Sequence, residues 1–222
     1  MKSAGNDIVA LNAIDIQRTR DARFYSKFIN DSELAIYQQL STSLPFEIFV
    51  WLLWSVKESA YKYLQRHDAG LQFSPIKFIV EQLKIPADFN LTPFTGIYWD
   101  SEETPASYIT GSVSYGHTHL YFRSYLTDDF ITSVVNDDEH FANVYWGIQL
   151  IESSDHQHQS QEVRNFALIK LKALLDIQDL CIVKSEIGYP VVMEGGTPLE
   201  VALSFAHHDR WVGYSFNWVN IG

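Results

Sequence analysis

Cysteine occurs once, as Cys181, so no disulfide can close within the chain, and a reducing cytoplasm is the expected compartment. Long hydrophobic runs are missing too. The longest apolar segment, residues 48–54, meets Lys57 and Glu58 before it could span a bilayer. Residues 1–7 have no apolar core of the kind a signal peptide needs, so none is expected. Basic residues are scarce, 16 Lys and Arg against 27 Asp and Glu, for a net charge of −11. That balance speaks against nucleic acid or an anionic membrane as partner. Aromatic residues, by contrast, are abundant at 14% within a hydrophobic fraction of 46%. A chain of 222 residues with that composition reads as globular, rich in β structure, and either one domain or two small ones.

The pattern along the chain predicts a short buried strand at 7–11, a helix over 16–28 and a second from about 30 to 40. A long helix follows from 44–45 to near 68–70. Strands are predicted at 76–82, 96–99, 112–115, 119–125 and 130–135, with loops rich in Pro, Asp and Glu across 86–105. The charged stretch 136–140 is the expected boundary between a first half, 1–140, and a second, 141–222. In the second half a strand at 144–151 and a polar loop at 153–159 precede an amphipathic helix over 161–175. Strands at 181–184, 191–194, 201–206 and 211–216 close the chain. His156 and His158 in the polar loop have no thiol or carboxylate at ligand spacing, and a solvated loop is the expectation there.

The densest chemistry lies in Trp54, Ser55, Val56, Lys57, Glu58, Ser59, Ala60, Tyr61 and Lys62. On a helix Glu58 and Lys62 are i and i+4 and share a face. Either they form an ordinary surface ion pair, or the carboxylate holds a divalent cation while the lysines neutralise phosphate oxygens. A second feature is a locally basic stretch, Arg18, Arg20, Arg23 and Lys27 against Asp15 and Asp21. It reads as a solvated helix face or as a docking surface for an acidic partner.

Two of these segments resemble the signatures of the 4′-phosphopantetheinyl transferases. Gly5-Asn6-Asp7-Ile8-Val9 is similar to their Gly-x-Asp motif, and residues 54–62 match their Trp-Ser-x-Lys-Glu-x-x-x-Lys motif. The interval from Asp7 to Glu58 is close to that of the short, holo-acyl-carrier-protein-synthase type. Gly188-Tyr189-Pro190 resembles the family's Gly-Lys-Pro turn, and Ser204-Phe205-Ala206-His207 its Ser-His strand end. The last two elements lie after the first two, the reverse of the larger, surfactin-type order. The resemblance therefore implies circularly permuted halves, the metal-bearing half first and the coenzyme-clamping half second. It also implies an α+β fold of two related halves, a pseudo-dimer, each a small antiparallel sheet packed on a long helix, and a monomer with its site in the cleft between them.

The implied reaction moves the phosphopantetheine arm of coenzyme A to a serine of an apo acyl or peptidyl carrier protein, releasing 3′,5′-ADP, with Mg²⁺ as cofactor, in fatty-acid or polyketide synthesis. The alternative is a non-catalytic relative that binds a carrier or coenzyme A. The resemblance implies Asp7 and Glu58 as metal ligands, Glu58 or a water it holds as base, and Lys62 as a catalytic and phosphate-binding cation. Lys57, His207 and Arg210 are implied as further coenzyme contacts, and Arg18, Arg23 and Lys27 as the carrier-docking face. Three departures stand out: Tyr189 in place of the turn lysine, Ala206 in place of a serine, and His208 in place of the serine after the histidine. His119, ahead of a β segment, is expected to be structural.

Overall fold

The computed structural model of the chain describes residues 3–40, 44–103, 106–185 and 188–218. It begins with strand β1 (Gly5–Ala10), in which every residue is buried. A strand buried on both faces needs two cores, and β1 has them. Val9 points into a cluster beneath the long helix, while Ile8 and Ala10 point into a second cluster shared with the C-terminal half.

Short helices α1 (Ile16–Thr19) and α2 (Ala22–Tyr25) follow where one helix over 16–28 was expected. The break has a local cause. The Asp15 carboxylate accepts the Arg18 N–H and the Asp21 carboxylate accepts the Arg23 N–H, so each aspartate starts its own turn. Helix α3 (Asp31–Gln39) opens on a capping box formed by Asn30 and Glu33. Helix α4 (Phe46–Gln65) starts behind Pro45 and has eleven buried residues. It lies across an antiparallel sheet of β1, β2 (Ile79–Lys84), β4 (Ile109–Tyr115), β5 (Thr118–Leu126) and β6 (Phe130–Asn136), in the order β1-β6-β5-β4-β2. Residues 75–77 form a 3-10 turn, so β2 begins later than the pattern suggested.

The C-terminal half also combines one long helix with antiparallel strands. Strand β7 (Val144–Leu150) leads to helix α5 (His156–Leu175), then to β8 (Leu180–Lys184), β9 (Pro190–Glu194), the two-residue β10 (Thr197–Pro198), β11 (Ala202–His208) and β12 (Trp211–Asn217). As β1 pairs with β6 in the first half, β7 pairs with β12 here. The hairpin β11–β12 lies beside β7, while β8 and β9 pair in a separate sheet with β10. Residues 156–159, expected in a loop, are the first turn of α5. The Asp155 carboxylate accepts the N–H groups of Gln157 and His158 and starts the helix there.

Strand β3 (Tyr98–Asp100) crosses the division expected at residue 140. It leaves the first half in sequence order and pairs with β7, giving the sheet order β11-β12-β7-β3. The seam between halves is packed by Ile8, Ala10, Phe130 and Val134 against Trp99, Trp146, Ile148, Ala206 and Trp211. Phe130 and Trp211 lie 4.7 Å apart between ring centres. Each such side chain, fully buried, is worth about 1.5–3 kcal/mol, so the halves meet through a core and not through a hinge. The whole is an α+β fold. Among the described residues no helix is long and apolar enough to cross a membrane.

Candidate functional site

Helix α4 and strand β1 touch at Gly5. A Cβ there would lie 2.1 Å from the Ser59 carbonyl oxygen and 2.7 Å from the Tyr63 nitrogen. Only glycine lets the strand approach this closely, and two residues further along the same strand face Asp7 meets the helix. Its Oδ1 lies 3.2 Å from Lys62 Nζ, which also lies 3.3 Å from Glu58 Oε1 and donates to the Asn6 carbonyl at 3.0 Å. The structure thus brings Asp7, Glu58 and Lys62 together, at one end of the seam.

Electrostatics at this point are unusual. Burial pushes the Asp7 carboxyl up to about 7; Lys62 pulls it down and Glu58 adds to the rise. Burial draws the Lys62 ammonium down, but Asp7 and Glu58 carry it above the ordinary lysine value. Asp7 Oδ2 is buried with no hydrogen-bond partner among the described residues. A buried, unpartnered carboxylate oxygen is costly to leave bare, and a hard cation suits it. The donor set fits Mg²⁺, which accepts one or two carboxylates and keeps waters. Among the described residues no group of three or more His, Cys, Asp or Glu side chains gathers to hold a metal, so the protein would supply these two carboxylates.

Lys57 does not join them. Its side chain is fully buried, 2.8 Å from the Glu33 carboxylate, and it donates to the Phe28 carbonyl at 2.5 Å. Burial lowers its pKa against the pull of Glu33. The expectation of a phosphate contact at Lys57 therefore meets a contrary position: one residue before Glu58, it is rotated about 100° round the helix and into the core.

Beside Lys62 a cleft of about 420 Å³ opens between the halves. Lys62, Gln65 and Arg66 of α4 form one wall; His156, Ser160 and Arg164 of α5, with Lys184, Tyr189, Ser204 and His207, form the other. No carboxylate is among its described lining residues, although the chain carries a net charge of −11. His207, exposed near the end of β11, lies 5.6 Å from the His156 ring, and burial, Lys62 and His156 together lower its pKa. Arg164 donates to the Ser160 carbonyl and hydroxyl. Arg210 lies elsewhere, exposed at the β11–β12 turn and outside the cleft lining. His208 next to it accepts the Ala10 N–H at Nδ1, 3.0 Å away, and ties the hairpin to β1. His119 pairs with Glu81 at 3.1 Å on the first sheet, away from the cleft.

Arg18 and Arg23 are exposed on the short helices, and Lys27 is exposed in the turn that follows α2. Arg18 sits over the Phe24 ring at 4.9 Å, and Arg23 reaches Asp21 at 3.3 Å. Arg20 is taken up by Glu47. Sequence reasoning missed Arg66 and Lys184 altogether and assigned His156 to solvent. The i, i+4, i+8 spacing of His156, Ser160 and Arg164 would have revealed that wall had Asp155 been read as the helix start.

The profile of the 4′-phosphopantetheinyl transferase superfamily matches residues 3–119. A protein of Streptococcus sanguinis (strain SK36) named holo-[acyl-carrier-protein] synthase is 31% identical over 113 residues, which cover 51% of this chain and 92% of that protein. No solved structure matches. The family profile spans Gly5, Asp7, Glu58 and Lys62, the residues that the geometry had already singled out, and on the profile match together with the relative the chain belongs to the 4′-phosphopantetheinyl transferase superfamily.

Proposed function

We propose that the protein transfers the 4′-phosphopantetheine arm of coenzyme A to a serine of an apo acyl or peptidyl carrier protein, releasing 3′,5′-ADP. The observation that carries this reading is a cationic cleft, free of carboxylates among its described lining, in which Lys62 pairs with the buried Asp7 and the half-buried Glu58. Coenzyme A brings a pyrophosphate and a 3′-phosphate, and a cleft lined by Lys62, Arg164, Lys184, His156 and His207 suits several negative charges.

Asp7 and Glu58 would hold Mg²⁺, which when bound neutralises pyrophosphate oxygens and favours departure of the nucleotide. Lys62 would then turn from the two carboxylates to the phosphates, where its charge meets the negative charge gathering on the leaving group. The serine oxygen attacks the phosphorus that bears the pantetheine arm. The phosphoanhydride P–O bond breaks, its electron pair leaving on 3′,5′-ADP, and the serine proton passes to Glu58 or to a water that Glu58 holds. His207 fits the 3′-phosphate as a neutral or charged N–H donor.

The carrier would approach over Arg18, Arg23 and Lys27, since an acidic partner is otherwise repelled by a chain of −11. One long helix with antiparallel strands in each half supports a pseudo-dimer with permuted halves, in which α5 and β11 complete the cleft so that a monomer suffices. The test is mass spectrometry of an apo carrier protein incubated with the protein, coenzyme A and Mg²⁺. A gain of one phosphopantetheine is expected. Coenzyme A binding without any gain would reduce the protein to a non-catalytic binder.

A further inference from the structure

Arg66 stands at the C-terminal cap of α4, one turn beyond Lys62 and two beyond Glu58, on the same helix face. Its Nη2 donates to two carbonyls of the opposite half, Pro190 at 2.9 Å and Leu203 at 2.8 Å. The guanidinium also lies over the Tyr189 ring, 4.6 Å from its centre. One side chain from the first half therefore grips a turn, strand β9 and strand β11 in the second. Among the described residues no carboxylate pairs with it. Both of these bonds use the same nitrogen, and the residue lines the cleft.

The alternatives to a clamp are poor. A partly buried guanidinium that served only to pack the seam would ordinarily be matched by a carboxylate, because two carbonyl dipoles and a ring face offset only part of its desolvation. Here the seam already has its own apolar core, centred on Trp211 and Trp146. What Arg66 adds is a fixed distance between the Lys62 wall and the wall carrying Tyr189 and Ser204. Tyr189 supplies the flat surface on which the guanidinium rests. Gly188, at φ +100°, allows the turn to present it.

We propose that Arg66 is a positioning residue: clamped on Tyr189 and on the Pro190 and Leu203 carbonyls, it holds the two walls of the cleft at the spacing that lets one polyanionic ligand meet cations of both halves. This rests on the proposed use of coenzyme A, and it assigns Arg66 no contact with the reacting atoms. It follows that the residue governs binding more than turnover.

The test uses the full chain, with Arg66→Met and Arg66→Lys, and two measurements. Hydrogen–deuterium exchange reads the clamp directly. In Arg66→Met, peptides from 188–194 and 202–208 should exchange faster, while those from 46–60 keep their protection. Calorimetric titration with coenzyme A, and the KM and kcat for carrier modification, read the consequence. The affinity should fall roughly 10–100-fold, the worth of hydrogen bonds to a charged group, with kcat at saturation near wild type. Arg66→Lys keeps the charge but cannot hold both carbonyls and the ring together, so it should recover affinity only in part. Unchanged exchange, or faster exchange with unchanged affinity, overturns the proposal. If the wild type itself binds no coenzyme A, the functional reading fails, and the exchange measurement still decides whether Arg66 clamps the halves.

Discussion

Replacing Lys57 by methionine separates two roles for a motif lysine. If the side chain met phosphate, Lys57→Met would raise the KM for coenzyme A and leave the fold intact. The structure argues otherwise. Removing the ammonium strips Glu33 of a contact at 2.8 Å inside the core and frees the Phe28 carbonyl. Among the described residues Glu33 would keep the N–H groups of Asn30 and Val80, at 3.0 and 2.9 Å. Breaking a buried pair from one side costs about 3–5 kcal/mol, because the remaining charge has no partner. For a chain of this size each kcal/mol shifts Tm by about 2–4 °C, so a fall of about 6–20 °C is expected. Thermal unfolding followed by tryptophan fluorescence is well placed to read it, since Trp51 and Trp54 lie on the same helix.

The double variant Lys57→Met with Glu33→Gln sharpens the test. The glutamine retains an acceptor for one backbone N–H and carries no charge, so the double variant should be more stable than Lys57→Met alone. A coupling of about 1–3 kcal/mol between the two sites is expected. If Lys57→Met unfolds within 2 °C of wild type and its effect falls on coenzyme A binding, the structural assignment of Lys57 is wrong.

Asp7→Asn and Glu58→Gln should each lower carrier modification by at least about 100-fold and weaken Mn²⁺ binding read by electron paramagnetic resonance; near-wild-type turnover in either removes it from the metal site. Reversing charge at Arg23 and Lys27 to glutamate should raise the KM for an acidic carrier by roughly tenfold at low salt without altering coenzyme A affinity, and an unchanged carrier KM would take these residues out of the docking face. His208 Nδ1 accepts the Ala10 N–H and must be unprotonated to do so. Burial holds its pKa below the ordinary value, with Asp209 and Glu58 opposing, so its contribution is fully present above about pH 6.5 and is lost as pH falls through the folded value. Thermal unfolding from pH 8 to 5 should therefore fall less steeply for His208→Asn than for wild type, and equal slopes would refute the link.

Much of this fold is written in local patterns. The alternation that gives β4, β5 and β6, and the spacing that gives α4 and α5, depend on which side chains face the core, and that is a one-dimensional property. The failures arise where a polar side chain or a distant strand decides. Asp21 splits a helix by offering the Arg23 N–H a nearer partner. Asp155 starts a helix in what composition suggests is a loop. Strand β3 joins the second sheet because Trp99 finds its core against Trp146 and Tyr125, partners that lie on opposite sides of the division at 140.

The same helix shows why the site itself was legible only in part. Glu58, Lys62 and Arg66 recur every four residues and share one face, which leaves Lys57 on the face of Leu53, Ala60 and Leu64. Helical phase alone, applied to the motif, would have put Lys57 in the core and asked for a buried acid to meet it. It would equally have extended the functional face by one turn to Arg66. What phase cannot supply is the partner. Glu33 and Tyr189 lie 24 residues before Lys57 and in the other half from Arg66, and neither pairing leaves a trace in spacing. Motif matching reads which residues recur, whereas helix geometry reads which way they point, and at Lys57 the second decides.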